Sequence, residues 1–374
     1  MFPRLRMWVF AGVLAIGVAA AVPRNVAYLR MLRDDRASAA PCQSMAVAGD
    51  NLWSLRCALR IGNWAGVTEV LARLDGSEPV AALLVIEDAE SRWTRHDGNG
   101  ARAALSTIAP AGPYDSRVWY RAGDLYERLG AADEAAQAFD RGAANDPDEP
   151  WSEGRYRSAM LLQRRERWAG VVDRLGPLLH EATDADFQRP IQALRRGGPV
   201  WQGGFLALGI AYERLGERGP AEATYARIGG LRHPTRDWTL NRTLVALARL
   251  REDHGDLANA ADAVARALDI ASEVDVAERR NYESFTAGDA DRLVETARRS
   301  GRLPELARLT TELTQRSAAS AGAWYVSGLV REAACDLGAA RTAYAHARTL
   351  LPADAGSHVN ARLTPGAGAT CQER

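Results

Sequence analysis

The amino-acid sequence predicts an all-α protein built from stacked antiparallel helix pairs. A 34-residue segment, residues 116–149, carries small residues, aromatic residues and a closing proline at spacings that suit a helix pair. The segment that begins at Ala321 repeats most of these spacings. Between the two segments, apolar residues recur with the period of an α-helix, which favours helices over strands. The hydrophobic fraction of 47% is typical of a folded globular chain, so such helices can bury a core.

The first predicted element is a membrane-targeting helix. Residues 7–23 carry no charge and follow two arginines. As a helix these residues reach about 25 Å, which approaches the hydrocarbon thickness of a bilayer, about 30 Å. We therefore expect residues 1–33 to form a membrane anchor, followed by a linker at residues 34–47. A cleaved signal peptide is the alternative, because Ala19 and Ala21 form a small-x-small site after the apolar core.

The repeated segments carry a specific residue signature. The first has Trp119, Gly123, Tyr126, Gly130, Ala135, Phe139 and Pro147. The second has Trp324, Gly328, Ala340, Tyr344, Ala347 and Pro352, with Cys335 at the turn. This pattern resembles the tetratricopeptide repeat (TPR), and only Gly142, where the family prefers alanine, departs from it in the first segment. The resemblance implies that the small residues let two helices approach closely and that the aromatic residues fill the space between repeats.

Weaker copies extend the resemblance over most of the chain. They begin near Ser152, Gln202, Asn241 and Ala287, with further helix pairs before residue 116. The resemblance therefore implies a right-handed α-solenoid over residues 48–354, followed by a C-terminal tail at residues 355–374. Two inserts break the period, one around residues 187–199 and one at residues 274–285. Inserts in solenoids lie on loops and can carry binding contacts, and linker drift is the alternative origin.

Four cysteines stand near the two ends of the predicted solenoid. Cys42 and Cys57 would close a short N-terminal loop, and Cys335 and Cys371 would tie the tail to the last repeat. Such pairs suit an oxidising compartment, so we expect a membrane-anchored, extracytoplasmic solenoid. The distribution of arginines around the apolar stretch slightly favours placement of the solenoid in the cytoplasm. The alternative to the two disulfides is four reduced thiols.

The TPR resemblance also implies a partner-binding groove, which in this family is lined by the first helix of each pair. It commonly holds an extended or helical segment of another protein. The predicted groove residues are Tyr120, Asp124, Glu127, Tyr156, Met160, Gln163, Leu206, Ile210, Glu213, Val245, Arg249, Glu252, Tyr325, Leu329 and Glu332. Their mixture of aromatic, aliphatic and acidic groups suits a peptide better than a phosphate. The alternative for each residue is that it only solvates the groove.

Charge and residue inventory argue against several functional classes. The 47 cationic residues are all arginines and balance 47 acidic residues, so the net charge of zero argues against nucleic-acid binding. The absence of lysine excludes a Walker A lysine and a Schiff-base lysine. The sequence contains no G-x-S-x-G or H-E-x-x-H motif, so we expect no enzymatic activity. Its six histidines are scattered, so we expect no metal and no cofactor.

Two functions remain after these exclusions. We expect a non-enzymatic scaffold for protein–protein interactions, anchored in the membrane and part of a bacterial envelope assembly that makes or exports envelope polymers. A polytopic membrane protein is one candidate partner. The alternative is a glycan or small-ligand module, in which Trp53, Trp64, Trp119, Trp201 and Trp324 could stack on sugars. Trp119 and Trp324 are the weaker candidates among them, because both occupy signature positions of the repeat.

Overall fold

A computed structural model describes residues 79–108, 114–146, 152–188, 200–232, 234, 236–274 and 276–364. These residues form fifteen α-helices and one short 3-10 turn, with no β-strand inside the described ranges. The chain divides into two compact units, Met1–Asp146 and Pro147–Arg374. The predicted anchor, the linker and Cys42, Cys57 and Cys371 lie outside the described residues.

Unit 1 contains two consecutive helix hairpins in its described part. Its helices are α1 (Pro79–Thr94), α2 (Gly98–Leu105), α3 (Ser116–Arg128) and α4 (Ala132–Ala144). Their shared core contains Trp119, which is 3% exposed, and Tyr126 packs against that core from a partly buried position. The expected burial of these two signature aromatics between helices is confirmed for Trp119 and holds in part for Tyr126.

Unit 2 continues the same arrangement through five more hairpins and a final short helix. Its helices are α5 (Glu153–Arg164), α6 (Trp168–Glu181), α7 (Val200–Arg214), α8 (Arg218–Gly229), α9 (Trp238–Asp253), α10 (Leu257–Glu273), α11 (Val276–Arg299), α12 (Leu303–Arg316), α13 (Ala321–Ala333), α14 (Leu337–Leu350) and α15 (Ser357–Leu363). Each helix packs on its neighbour along the chain, and the first helices of successive hairpins α7, α9 and α11 also contact one another. The all-helical, TPR-like α-solenoid expected from the sequence is therefore present, while its handedness stays a prediction.

One turn geometry is repeated in all seven hairpins of the described residues. The residue that reverses the chain has a positive φ in each, between 55° and 79°. These residues are His96, Gly130, Glu166, Gly216, Gly255, Gly301 and Cys335. The next N–H donates to the carbonyl five residues earlier at 2.8–2.9 Å, as in a Schellman motif. Glycine suits this left-handed conformation, and four of the seven turn residues are glycines.

A glycine in the first helix and an aromatic ring in the second form a second repeated contact. Gly123 faces Phe139, Gly209 faces Tyr225 and Gly328 faces Tyr344, and a methyl group on each glycine would lie under 3.0 Å from the ring. The three rings are almost completely buried. The predicted role of the small signature residue, which is to let the two helices approach closely, is confirmed at these three hairpins.

The C-terminal boundary predicted from the sequence is wrong in one respect. Residues 355–364 are part of the fold, because α15 packs on α11 and α14 and its Val359 is buried. The Glu283 carboxylate accepts hydrogen bonds from the Gly356 and Ser357 amides at 2.7 and 3.0 Å, and from the Ser357 hydroxyl at 2.7 Å. The folded region therefore extends beyond residue 354, and α15 covers the end of the last repeat.

The predicted insert at residues 274–285 is not a loop. From Val276 it is helical and continuous with α11, which is 24 residues long, whereas α13 has 13 residues. The reason is visible in the residues themselves, since neither proline nor glycine stands between Val276 and Ala287. The extension adds about three turns to the first helix of this hairpin and exposes a new surface beside α9.

Candidate functional site

An open surface of unit 2 lies along α7, α9 and α11. Two adjoining cavities of about 620 and 630 Å³ share Phe285. We call their combined surface the unit 2 groove. It is lined by Glu213, Trp238, Arg242, Arg249, Leu250, Asp253, Asn281, Tyr282, Phe285, Gly288, Asp289 and Arg292. All of these residues come from first helices of consecutive hairpins, which is the surface where the sequence predicts a groove.

One end of the unit 2 groove is aromatic. Trp238 is 43% exposed and Phe285 is 49% exposed, so both present large apolar surfaces to solvent. The Arg242 guanidinium lies over the Trp238 ring at 5.9 Å, and the Arg249 guanidinium lies over Phe285 at 5.6 Å. Exposed rings flanked by arginines are typical of protein-binding surfaces, since aromatic residues and arginine are enriched there.

The centre of the groove is held by paired charges. Arg249 donates two hydrogen bonds to the buried Asp289 carboxylate, at 2.8 and 3.1 Å. Arg292 lies 2.5 Å from the buried Glu252 carboxylate and 3.5 Å from Asp289. The hydrogen bonds to Asp289 raise the pKa of Arg249, although partial burial opposes the shift. These pairs join α9 to α11 and leave both carboxylates compensated.

Glu213 and Glu332 take part in a contact that recurs in two repeats. The Tyr225 hydroxyl donates to Glu213 at 2.6 Å, and the Tyr344 hydroxyl donates to Glu332 at 2.6 Å. Burial, together with the neighbouring carboxylate, raises the pKa of both tyrosines. The two glutamates therefore stabilise their own hairpins, and only Glu213 also lines the unit 2 groove.

The predicted groove residues on α13 do not line an open surface. Tyr325 and Leu329 are buried at 2% and 4% exposure, and Glu332 is half-buried. Tyr325 and Glu332 are covered by α15, whose His358 ring meets Tyr325 edge-on at 4.6 Å and whose Arg362 pairs with Glu332 at 3.1 Å, and Leu329 belongs to the hydrophobic core. The chain's own C-terminal helix thus occupies this position, and the expectation that these residues face a partner is corrected.

Two further predicted groove residues also belong to the core. Leu206 and Val245 are 4% and 2% exposed, because first helices pack on the neighbouring hairpin as well as on their own second helix. Ile210 packs against the same cluster as Leu206 from a partly buried position. The helix face that the sequence analysis assigned to the groove therefore includes core positions at Leu206 and Val245.

The three predicted residues of unit 1 are half-buried on α3. The Tyr120 hydroxyl donates a short hydrogen bond to the Asp146 carboxylate, and its ring lies 6.4 Å from that of Phe139. Asp124 and Glu127 are on the same helix, and each makes an interaction within the structure. Tyr120 is therefore engaged in packing within its hairpin.

On α5 the predicted residues Tyr156, Met160 and Gln163 are also half-buried. The Tyr156 ring meets the buried Trp201 ring edge-on at 5.8 Å. Burial raises the pKa of Tyr156. Tyr156 thus joins α5 to α7 in the packing of the hairpins.

Within the described residues, the tryptophans proposed for sugar stacking are unsuited to it. Trp119 and Trp201 are buried, and Trp53 and Trp64 lie outside the described residues. Trp324 is partly buried, and its indole N–H donates to the Ala318 carbonyl at 2.9 Å. This distribution weakens the glycan-binding hypothesis as the sequence framed it.

Sequence reasoning missed the residues that dominate the groove's aromatic end. It identified Glu213, Arg249 and the adjacent Glu252, but it did not identify Trp238, Arg242, Tyr282 and Phe285. The available signal was the helix-compatible insert, because an unbroken helix from Val276 places Tyr282 and Phe285 beside α9. Because the insert was expected to form a loop, its residues were not assigned to the groove.

The expected membrane span, metal sites and disulfides can be compared with the described residues only. Within the ranges that the structure covers, no helix is long and apolar enough to cross a bilayer. In the same ranges, no group of three potential metal ligands comes together. Cys335 is exposed at its turn. Its proposed partner Cys371 lies outside those ranges, so that disulfide stays a prediction.

Comparison with known proteins gives structural matches only. No protein-family model matches the sequence, and no curated protein is significantly similar to it. The C-terminal part of a TPR repeat-containing protein from Cytophaga hutchinsonii aligns at 13% identity over 84% of this chain and 99% of that chain, with a TM-score of 0.39. A tetratricopeptide repeat protein from Parabacteroides merdae aligns at 13% identity over 75% and 97%, with a TM-score of 0.35. Naa15/Naa10 bound to HypK-THB aligns at 15% identity over 80% and 42%, with a TM-score of 0.41.

Proposed function

We propose that this protein is a non-enzymatic scaffold whose unit 2 groove binds a segment of a partner protein. The observation that carries the proposal is the open groove itself, with the half-exposed rings of Trp238 and Phe285 beside fixed ion pairs. Large exposed rings anchor partner segments because their burial removes much apolar area from water. The paired charges at the centre fix the helices, so the surface is formed before a partner arrives.

We further propose that the scaffold is membrane-anchored and extracytoplasmic, in a bacterial envelope assembly. The support comes from the uncharged stretch at residues 7–23 and from the four cysteines near both ends of the repeat region. A partner in the same membrane, such as a polytopic protein that makes or exports envelope polymers, would then lie within reach of the groove.

Site-specific photo-cross-linking in living cells tests the groove as the binding surface. A benzophenone side chain replaces Phe285 in the full-length chain, and a matched variant carries it at Leu337 of α14. Leu337 is a suitable control because it is an equally exposed large apolar residue, at 43%, outside the groove. We expect a dominant cross-linked protein from position 285 alone. The same cross-links from both positions, or none from position 285, would contradict the proposal.

A further inference from the structure

The three arginines of the unit 2 groove differ in their partners. Arg249 and Arg292 are both matched by the buried carboxylates Asp289 and Glu252. Arg242 has no carboxylate within ion-pair distance in the described part of the chain, and it is exposed beside the Trp238 ring. Arg242 is thus the groove cation whose charge is left for a ligand.

The opposite end of the groove carries the opposite charge. Glu213 and Asp253 are exposed there. Among the described residues, Asp253 has only a loose, solvent-exposed contact with Arg218 at 3.6 Å, and such pairs are weak. The groove therefore runs from a cationic, aromatic end at Trp238 and Arg242 to an anionic end at Asp253.

We propose that the partner segment is bipolar, with an acidic residue for Arg242, a large apolar residue for Trp238 and Phe285, and a basic residue for the Glu213 and Asp253 end. This inference rests on the proposed function and adds the chemistry of the partner to it. An Arg guanidinium can hold a carboxylate through two parallel hydrogen bonds, which also fixes the direction of the segment.

The spacing of the two charged ends sets the spacing in the ligand. Arg242 and Asp253 are eleven residues apart on α9. Eleven helical residues rise about 16 Å, which an extended peptide crosses in about five residues. The inferred segment therefore carries its acidic and basic residues about five positions apart, with the large apolar residue between them.

The same charges disfavour a nucleic-acid strand. A polyanion needs successive cations along its path. Here the exposed carboxylates of Glu213 and Asp253 follow the single unmatched arginine, and the two other arginines are already neutralised. A protein segment with mixed charge fits this surface, and a uniformly anionic chain meets repulsion over half of it.

Selection from a phage library of random nine-residue peptides tests the inference on the full-length protein. Wild type, Arg242→Glu and Arg341→Glu are panned in parallel. Arg341, an exposed arginine on α14, is the matched control because it does not line the groove. We expect wild type and Arg341→Glu to enrich an acidic residue about five positions from a basic one. Arg242→Glu should replace the selected acid with a base.

A quantitative readout supports the same distinction. For one enriched peptide, Arg242→Ala should weaken Kd about tenfold, since a charge-assisted hydrogen bond is lost. An enriched set without acidic residues, or an identical set for Arg242→Glu, would overturn the inference. If such a set still loses binding to Phe285→Ala, the proposed function stands and only the charge pattern is wrong. If no peptide is enriched above an unrelated control protein, both fail.

Discussion

The contact between Gly209 and the Tyr225 ring offers a sharp test of the repeat packing. A methyl group at Gly209 would lie under 3.0 Å from three atoms of that ring. Tyr225 is fully buried and its hydroxyl is bonded to Glu213 at 2.6 Å, so the ring cannot swing aside without losing that bond. We therefore expect Gly209→Ala to destabilise unit 2.

The magnitude follows from three contributions. Overpacking a buried site costs about 1–3 kcal/mol. Loss of the hydrogen bond to the charged Glu213 adds about 1.5–3 kcal/mol. Alanine is the better helix former by about 1 kcal/mol, which offsets part of the cost. The net expectation for Gly209→Ala is a loss of about 1.5–5 kcal/mol of unfolding free energy.

Urea unfolding of the full-length chain, followed by far-ultraviolet circular dichroism, measures the change. Gly288→Ala on α11 is the matched control, because it is exposed and nothing beyond the adjacent backbone lies within 4 Å of its added methyl group. It should leave stability unchanged or raise it by about 0.4–1 kcal/mol. If Gly209→Ala proves as stable as Gly288→Ala, the close approach of α7 and α8 at the Tyr225 ring is refuted.

Three further predictions follow from the turns and the C-terminal helix. Glu166→Gly should raise the free energy of unfolding in urea by about 0.5–1 kcal/mol. Glycine removes the backbone strain of the positive φ, and this gain exceeds the larger conformational entropy that glycine loses on folding. An unchanged or lower unfolding midpoint would contradict the turn geometry. Burial by itself raises the pKa of Glu283, but His358 and the hydrogen bonds from the start of α15 outweigh it and hold that pKa at about 2. Since this is below the ordinary value of 4.5, docking of α15 should be complete above about pH 4.5 and weaken as pH falls toward 2. Amide chemical shifts of α15 should report this loss in wild type, and Glu283→Gln should lack that pH dependence. The same pH profile in both proteins would contradict the role of the Glu283 carboxylate in docking α15. Thiol labelling of denatured, unreduced protein should leave Cys335 and Cys371 unmodified, and full labelling would exclude their disulfide.

The sequence marks the position of a turn most directly where the turn residue is glycine. At Gly130, Gly216, Gly255 and Gly301 the residue type itself reports the positive φ, so the position of each turn could be read directly. Glu166 and Cys335 adopt the same conformation without being glycine, because the hydrogen bonds of the turn and the packing of both helices hold them there. The spacing of the repeat placed the turn at Cys335, whereas no local signal marked the turn at Glu166.

The groove was harder to predict because its position depends on which helix faces are covered. Tyr325 and Leu329 have the phase of groove residues, but both belong to the hydrophobic core, and α15 packs on Tyr325 through His358. The aromatic end depends on the unusual length of α11, which brings Phe285 beside α9. The pairing of Arg249 with Asp289 joins residues 40 positions apart, and spacing within one repeat does not reveal it.

The affinity of the partner segment for groove variants tests the central claim most directly. Once cross-linking from position 285 identifies the partner, calorimetry measures Kd of its synthetic segment for the full-length wild type, Trp238→Ala, Phe285→Ala and Leu337→Ala. Buried aromatic anchors typically carry at least about 2 kcal/mol, so each groove variant should bind about thirtyfold more weakly. Leu337→Ala should bind as wild type does. Equal affinities for all four proteins would show that the partner binds elsewhere and would contradict the groove as the functional site.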